Sequence, residues 1–536
     1  MGLAIRAVIS KAGLYMQDST DIDVAIIGSG MGGLTAAALL TQAGLRVSVF
    51  EAQSQPGGYL SGFERNGFVF DTAIQWLNQC HPSGFVRRLF DALGDDFPPC
   101  RPLTNISRVR GSTFNYLLTS SPESLRKQLI EKFPADEKGI HRFFEAAQAL
   151  GNRWHQLDGH IRSSETMGHI GKVVYAHQML FWSLPMMRHL KTTAEKGLDR
   201  YFQDPQLRKL FGYQESFISM LMPFAWASTG NFHIPPRGGS RAMIDWLCKK
   251  ITQTGSEIVL NQRVARVLVD EHNQATGVEL EKGQTVRAQH VVHAGDLQTL
   301  YDEMLPATAT SKRRRTAVRE ADLYYSNFTV FLGLDCDAAD LGFGEEMLYL
   351  IREDIPRSEQ FNGDPEKTAL TVLAPSIRDS SVAPAGKGVL TIHCPALMKS
   401  HGTWHTEDGR VRGEDYQKFK QQFAETLIRR VEESFAPGLS RHIELMEAAT
   451  PVTYWRYTGN ADGSIMGTRP SGKNIRARIS GCKTPVKNLL LAGHWANYSG
   501  GVPIAMQTGA NTALLILNER LPAKGRTLRD LMDQKS

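Results

Sequence analysis

The 536-residue chain reads as an α/β protein, a discontinuous, doubly wound Rossmann-like domain that carries an inserted α+β domain. Three stretches predict this. Asp23 to Ala52 runs strand, glycine turn, helix, strand and acid. Pro56-Gly57-Gly58 follows with a second glycine turn. Far down the chain, "AGHWANYSGGVPIAMQTGANTALLIL" (Ala492 to Leu517) places a glycine-rich turn before a helix of small residues. The length calls for about two or three domains, and 42% hydrophobic with 22% charged residues is enough to build a large core.

Val24 to Ile27 is a short apolar run suited to a buried parallel strand. Gly28, Gly30 and Gly33 spell G-x-G-x-x-G. The first glycine permits the tight turn, the second lets a pyrophosphate approach the backbone, and the third lets helix and strand pack closely. Leu34 to Ala43 reads as a helix closed by Gly44, and its N-terminus favours phosphate charge. Arg46 to Phe50 is the second strand, and Glu51 at its end can accept hydrogen bonds from ribose hydroxyls. A nicotinamide enzyme has no use for a second glycine turn at Gly57-Gly58. FAD, which is longer, would use those amides on its ribityl-phosphate side.

Together, "PGGYLSGFERNGFVFD" (Pro56 to Asp71) and "NLLLAGHWANYSGGVPIAMQTG" (Asn488 to Gly509) resemble the phytoene desaturase-like flavoproteins of the amine-oxidase-like superfamily. That group includes carotenoid desaturases, carotenoid isomerases and retinol saturases. "PPRGGSRAMIDWLCKK" and the strand after it, within Pro235 to Asp296, agree with the family, as does "TPVTYWRYTGNADGSIMG" (Thr450 to Gly467). The resemblance implies FAD as cofactor and Val264 as an adenine contact. The whole expected cofactor set is Gly28, Gly30, Met31, Gly33, Glu51, Ala52, Gly57, Gly58, Tyr59, Val264, Gly493, Gly501 and Val502. The chain departs from the better-known desaturases after Gly493, where His494 and Trp495 replace small residues.

The late glycine turn then has a purpose. The strand Asn488 to Leu491 would close the cofactor site, and the helix Val502 to Leu517 would aim its positive end at the flavin. The expected division is a leader at 1–20, FAD segments at 21–80, 231–300 and 485–520, a substrate or lid insert at 81–230, a substrate domain at 301–484 and a tail at 521–536. The leader is read as a frayed terminus, with a weak amphipathic or targeting segment as the alternative.

The insert is mostly helical in pattern, with "SPESLRKQLIEKFP" as a capped piece starting near Ser121. "GKVVYAHQMLFWSLPMMRHLKTT" (Gly171 to Thr193) suits either a core helix, bent at Pro185, or a segment dipping into one membrane leaflet. "FISMLMPFAW" (Phe217 to Trp226) suits core packing or the wall of a tunnel for a long apolar substrate. "SKRRRTAVRE" (Ser311 to Glu320) suits a solvated face or an anionic membrane contact.

No apolar run reaches the roughly 18 residues of a spanning helix. Six scattered cysteines form no C-x-x-C pair and no zinc-like spacing, so no metal and a reducing, cytoplasmic setting are expected, with a peripheral membrane contact. A net charge of +6 does not call for nucleic acid. One nucleotide motif without a second means that electrons pass to or from oxygen, a quinone, a partner or the substrate.

The flavin carries the redox chemistry, and hydride removal from an unactivated carbon then needs a base. His81, Asp71, Glu215 and His494 are candidates, with Asp71 read first as a structural cap or a cofactor-side contact. His494 is placed first as acid or base for its nearness to the ring, and Trp495 is expected to pack on flavin or substrate. The favoured reading is desaturation, saturation or isomerisation of carbon–carbon bonds in a lipophilic polyene or isoprenoid. An FAD oxidase of a small polar amine or amino acid is the alternative, with Trp455, Tyr457 and Trp495 as its aromatics. A non-catalytic flavin- or lipid-binding protein is a third.

Overall fold

The computed structural model describes residues 21–156, 161–184, 192–211, 216–356, 359–361, 363–407 and 409–533. The leader and Glu215 lie outside them, as do Pro185 to Lys191 of the apolar insert.

The nucleotide-type sheet forms where the apolar runs predict it. Ile22–Ile27 is buried except at Asp23, and it pairs in parallel with Val47–Phe50 on one side and Thr285–His293 on the other. Glu257–Val259 extends the sheet beyond Val47–Phe50, and Leu489–Leu491 pairs in parallel with the end of Thr285–His293. The antiparallel hairpin of Val264–Val269 and Ala275–Leu280 continues it on the first half of Thr285–His293. The fingerprint helix, Met31–Gln42, is buried over nearly its whole surface, between Ser240–Thr252 and Val502–Arg520. Small residues permit that depth: a Cβ at Gly509 would overlap the Gly32 carbonyl, and one at Gly33 would overlap the Gly28 carbonyl.

A second sheet of seven strands stands apart from the first. Its order is Ile443–Ala449, Ser326–Leu334, Gly388–Ala396, Leu370–Leu373, Met347–Leu350, Asn105–Arg110 and Asn115–Thr119. All neighbours are antiparallel except Met347–Leu350 with Asn105–Arg110. The stretch read as mostly helical therefore also gives two strands to the far sheet. Its helices Glu137–His155 and Phe217–Ser228 pack around Phe143, Phe202, Phe211 and Phe224. Ser121 does precede a helix, Pro122–Lys132, but its side chain makes no capping bond.

The basic run is structural. In Lys312–Arg319, Arg314 donates to the carbonyls of Arg478 and Ile479, Arg315 donates to those of Leu305 and Pro306, and Arg319 pairs with Asp302. The apolar insert is not a core helix. His169–Ser183 buries no residue fully, and Ile170, Val173 and Phe181 are 82%, 65% and 64% exposed. Among the described residues no helix is long and apolar enough to cross a membrane.

Candidate cofactor and substrate cavity

A cavity of about 950 Å³ runs from the fingerprint turn, along the second glycine turn, to the helical insert. Gly28, Gly30, Met31, Glu51, Ala52, Arg263 and Val264 line its first end. Gly57, Gly58, Tyr59, Gly493, His494, Gly501 and Val502 line its middle. Trp154, Tyr175, Met179, Ile218, Met222 and Trp226 line its far end. Of the expected cofactor set, all but Gly33 face this one space.

The first end fits a dinucleotide on its own geometry. Gly28 takes φ +95°, a left-handed turn that favours glycine. A Cβ at Gly30 would meet nothing within 4 Å, so its face is open to a phosphate, whereas Gly33 serves packing. Glu51 Oε2 accepts from Ser29 N at 2.9 Å and Ser29 Oγ at 2.6 Å, and Oε1 accepts from Gln53 N at 2.9 Å. These bonds fix the carboxylate at the strand end, where lone pairs remain for hydroxyls. The tail helix Val502–Arg520 starts at the cavity, after Gly501 at φ +93°, with no acid in its first turn. Its free N–H groups suit a group that gains negative charge.

The middle holds the polar side chains. Tyr59 donates to the Ser464 carbonyl at 2.6 Å and accepts from Asn460 Nδ2 at 3.1 Å, and burial pushes its phenol up to about 12. His494 lines the cavity with its ring 6.2 Å from that of Tyr59, and burial holds its imidazole down to about 4. It is neutral at pH 7. Trp495, expected beside the ring, is not there. It is 2% exposed in the core, with Nε1 donating to Asn460 Oδ1 at 3.2 Å. From neighbouring places in the short turn His494–Ala496, one side chain lines the cavity and the other packs in the core.

Of the other acid–base candidates, Asp71 and His81 do not line this cavity, and Glu215 lies outside the described residues. Asp71 accepts from the amides of Ser240, Ala73 and Ile74, the structural cap the sequence suggested, and lines a separate cavity. His81 Nδ1 lies 3.0 Å from Ser83 Oγ, and its ring faces His155 and His233. Sequence reasoning passed over the strip Thr72 to Trp76 and the turn His293 to Asp296, which also line the cavity. Asp296 accepts from the amides of Thr299 and Ala461, and burial raises its carboxyl. The "HAGD" turn following a strand could have revealed it. The strip carries no glycine or charge to mark it beyond Asp71.

This constellation defines the class: a dinucleotide-binding flavoprotein whose cofactor half opens directly onto an inserted substrate half. The chain belongs to the flavin containing amine oxidoreductase family, whose model matches residues 31–517. It is similar to all-trans-retinol 13,14-reductase of Danio rerio, at 24% identity over 94% of this chain and 87% of the relative. It is similar to chloroplastic prolycopene isomerase of Daucus carota (25%, 85% and 73%) and to lycopene-forming phytoene desaturase of Pantoea ananas (25%, 92% and 99%). Among solved structures, putrescine oxidase bound to putrescine shares the fold at 16% identity, TM-score 0.59, with 93% of this chain and 99% of that one covered. Cyclohexylamine oxidase from Brevibacterium oxydans does so at 16%, TM-score 0.55, with 95% and 100% covered. The protein is an FAD-dependent oxidoreductase.

Proposed function

We propose that the enzyme desaturates, saturates or isomerises carbon–carbon double bonds of a lipophilic polyene or isoprenoid. One observation carries this reading. Among the described residues lining the cavity, the charged ones are Glu51, Arg263 and Asp296, all on the cofactor side. The far end is built mainly from tryptophan, tyrosine, methionine and isoleucine, with Ser219 and Asn231 as polar members and no charged one. A small cationic amine would need a buried charged anchor there, whereas an apolar chain gains from each contact. The names of the retinoid and carotenoid relatives support the same class. The fold shared with amine oxidases supports the alternative, but that likeness is one of fold.

In this reading residues 21–80, 231–300 and 485–520 hold the cofactor, and the inserts hold the substrate. Gly28, Gly30 and the start of Met31–Gln42 receive the pyrophosphate, Glu51 and Ala52 the ribose, and Val264 the adenine. Gly57 to Tyr59, Thr72 to Trp76 and Gly493 to Val502 surround the ring. Bound FAD supplies hydride transfer. The apolar far end would exclude water from the substrate chain, and neutral His494 would hold or give a proton at the flavin ring itself.

The insert helix would rest on a membrane surface. Tyr175 and Met179 face the cavity, while Ile170, Val173 and Phe181 face outward with Lys172 among them. A substrate could pass from bilayer to cavity beside this helix. The deciding experiment offers carotenoid, retinoid and fatty acyl polyenes in liposomes to the anaerobic enzyme, with its flavin first oxidised and then reduced. Loss of two hydrogens marks a desaturase, gain of two a saturase, and unchanged mass with a new isomer an isomerase. Bleaching of the oxidised flavin by a polar amine, with every lipid inert, would move the assignment to the oxidase.

A further inference from the structure

The substrate sheet carries a buried polar chain that the cofactor does not need. Thr329 and His393 are register partners on the antiparallel strands Ser326–Leu334 and Gly388–Ala396, so their side chains share a face. Thr329 Oγ1 lies 3.2 Å from His393 Nδ1 and 2.7 Å from Tyr454 Oη. Thr329 is fully buried, while His393 and Tyr454 both reach the cavity wall. Thr329 holds Nδ1, and the ring makes no other hydrogen bond among the described residues, which leaves Nε2 to the cavity it lines. The Tyr454 ring lies 6.1 Å from that of Tyr59, which places the chain one side chain away from the second glycine turn. Polar groups at such depth in an otherwise apolar sheet are costly unless bonded, and these are bonded in series.

We propose that Thr329, His393 and Tyr454 form a proton relay, with His393 Nε2 as the catalytic acid or base at the reacting carbon–carbon bond. The inference rests on the polyene reading. In desaturation one carbon loses a hydride to the oxidised flavin, and its neighbour loses a proton to Nε2. The electron pair of that second C–H bond becomes the new π bond. Nδ1 passes its proton to Thr329 Oγ1, Thr329 passes its own to Tyr454 Oη, and the Tyr454 proton leaves to water at the cavity wall. Saturation runs each transfer backwards, with the hydride coming from the reduced flavin. The ring begins and ends neutral and only exchanges tautomers. Burial holds the imidazole down to about 4, so a route that avoids an imidazolium is the low-cost one. Thr329 acts as a positioning and relay residue and does not touch the substrate.

Thr329→Val, Tyr454→Phe and His393→Gln test the relay in the FAD-loaded enzyme, with flavin content and absorption spectrum as the check on folding. Thr329→Val keeps the side-chain shape and removes the hydroxyl. Both it and His393→Gln should lower kcat by about 100-fold, with KM within about threefold of the parent. Nitrogen-15 NMR of histidine-labelled protein gives a readout apart from activity. The His393 signals, assigned by their loss in His393→Gln, should show one neutral tautomer in the parent and a mixture in Thr329→Val. Unchanged kcat or an unchanged tautomer in Thr329→Val overturns the relay. If His393→Gln does not fold, Tyr454→Phe must show the same fall in kcat, and full activity there overturns the relay too. A parent enzyme that converts no polyene overturns the substrate reading instead, and the relay then stands or falls on the tautomer result.

Discussion

Gly30 and Gly33 sit three residues apart and answer to different constraints. A Cβ at Gly30 meets open space at an ordinary φ of −66°, while one at Gly33 meets the Gly28 carbonyl. Gly30→Ala should therefore keep the thermal midpoint of the apoprotein and lose FAD by at least tenfold in affinity, read by flavin fluorescence. Gly33→Ala should lower both. The motif was legible because each glycine has a backbone reason. The histidines were less so, since depth cannot be read from spacing. Burial holds His233, His293, His393 and His494 at about 4, against roughly 6.5 in the unfolded chain. Between those values the unfolded chain binds more protons. Their contribution to stability is complete above pH 6.5 and is lost as pH falls towards 4. The urea midpoint should fall steeply across that window, and His293→Gln should flatten the fall.

At the scale of elements, the parallel strands and the two glycine-bound helices could be read in advance because their signals are local. The pairing of Met347–Leu350 with Asn105–Arg110 could not, since nothing in either strand names a partner some 240 residues away. "FISMLMPFAW" could be assigned to core or tunnel, and the helix packs one face in the core and lines the cavity with another. Phe217, Met220, Leu221 and Phe224 pack inward, and Ile218, Met222 and Trp226 face the cavity. Periodicity shows two apolar faces but not which void one of them borders. The insert helix His169–Ser183 carries the clearest prediction here. Val173→Asp with Phe181→Asp should cut sedimentation with anionic vesicles by at least fivefold and leave turnover of detergent-dispersed substrate within about twofold. Unchanged sedimentation would remove the membrane from the account.

Across the whole molecule, the two halves meet at buried polar ties. Arg378 is 7% exposed and donates to the carbonyls of Gln75, in the strip that lines the cavity, and Glu345, in the substrate half. Arg378→Met strands both carbonyls and should cost about 3 kcal/mol. Thermal unfolding followed by flavin release should then show the cofactor leaving several degrees earlier. Within the inserts, Glu165 ties two distant stretches, accepting from the amides of Cys482 and Lys483 at 2.6 Å and 3.1 Å. These contacts had no sequence signature, because each is a lone side chain meeting a distant main chain.

The strand Thr285–His293 has its parallel neighbours Ile22–Ile27 and Leu489–Leu491 on either side, so consecutive places in one sheet are filled by widely separated stretches of chain. On a ribosome adding about 5–20 residues per second, roughly half a minute to a minute and a half separates the first of these strands from the last. Throughout that interval Thr285–His293, once made, presents an unpaired edge, and the nascent polypeptide cannot retain its cofactor. Flavin starvation should therefore act late, on released chains, and a chaperone that shields strand edges should raise the yield of this protein more than one that speeds helix formation.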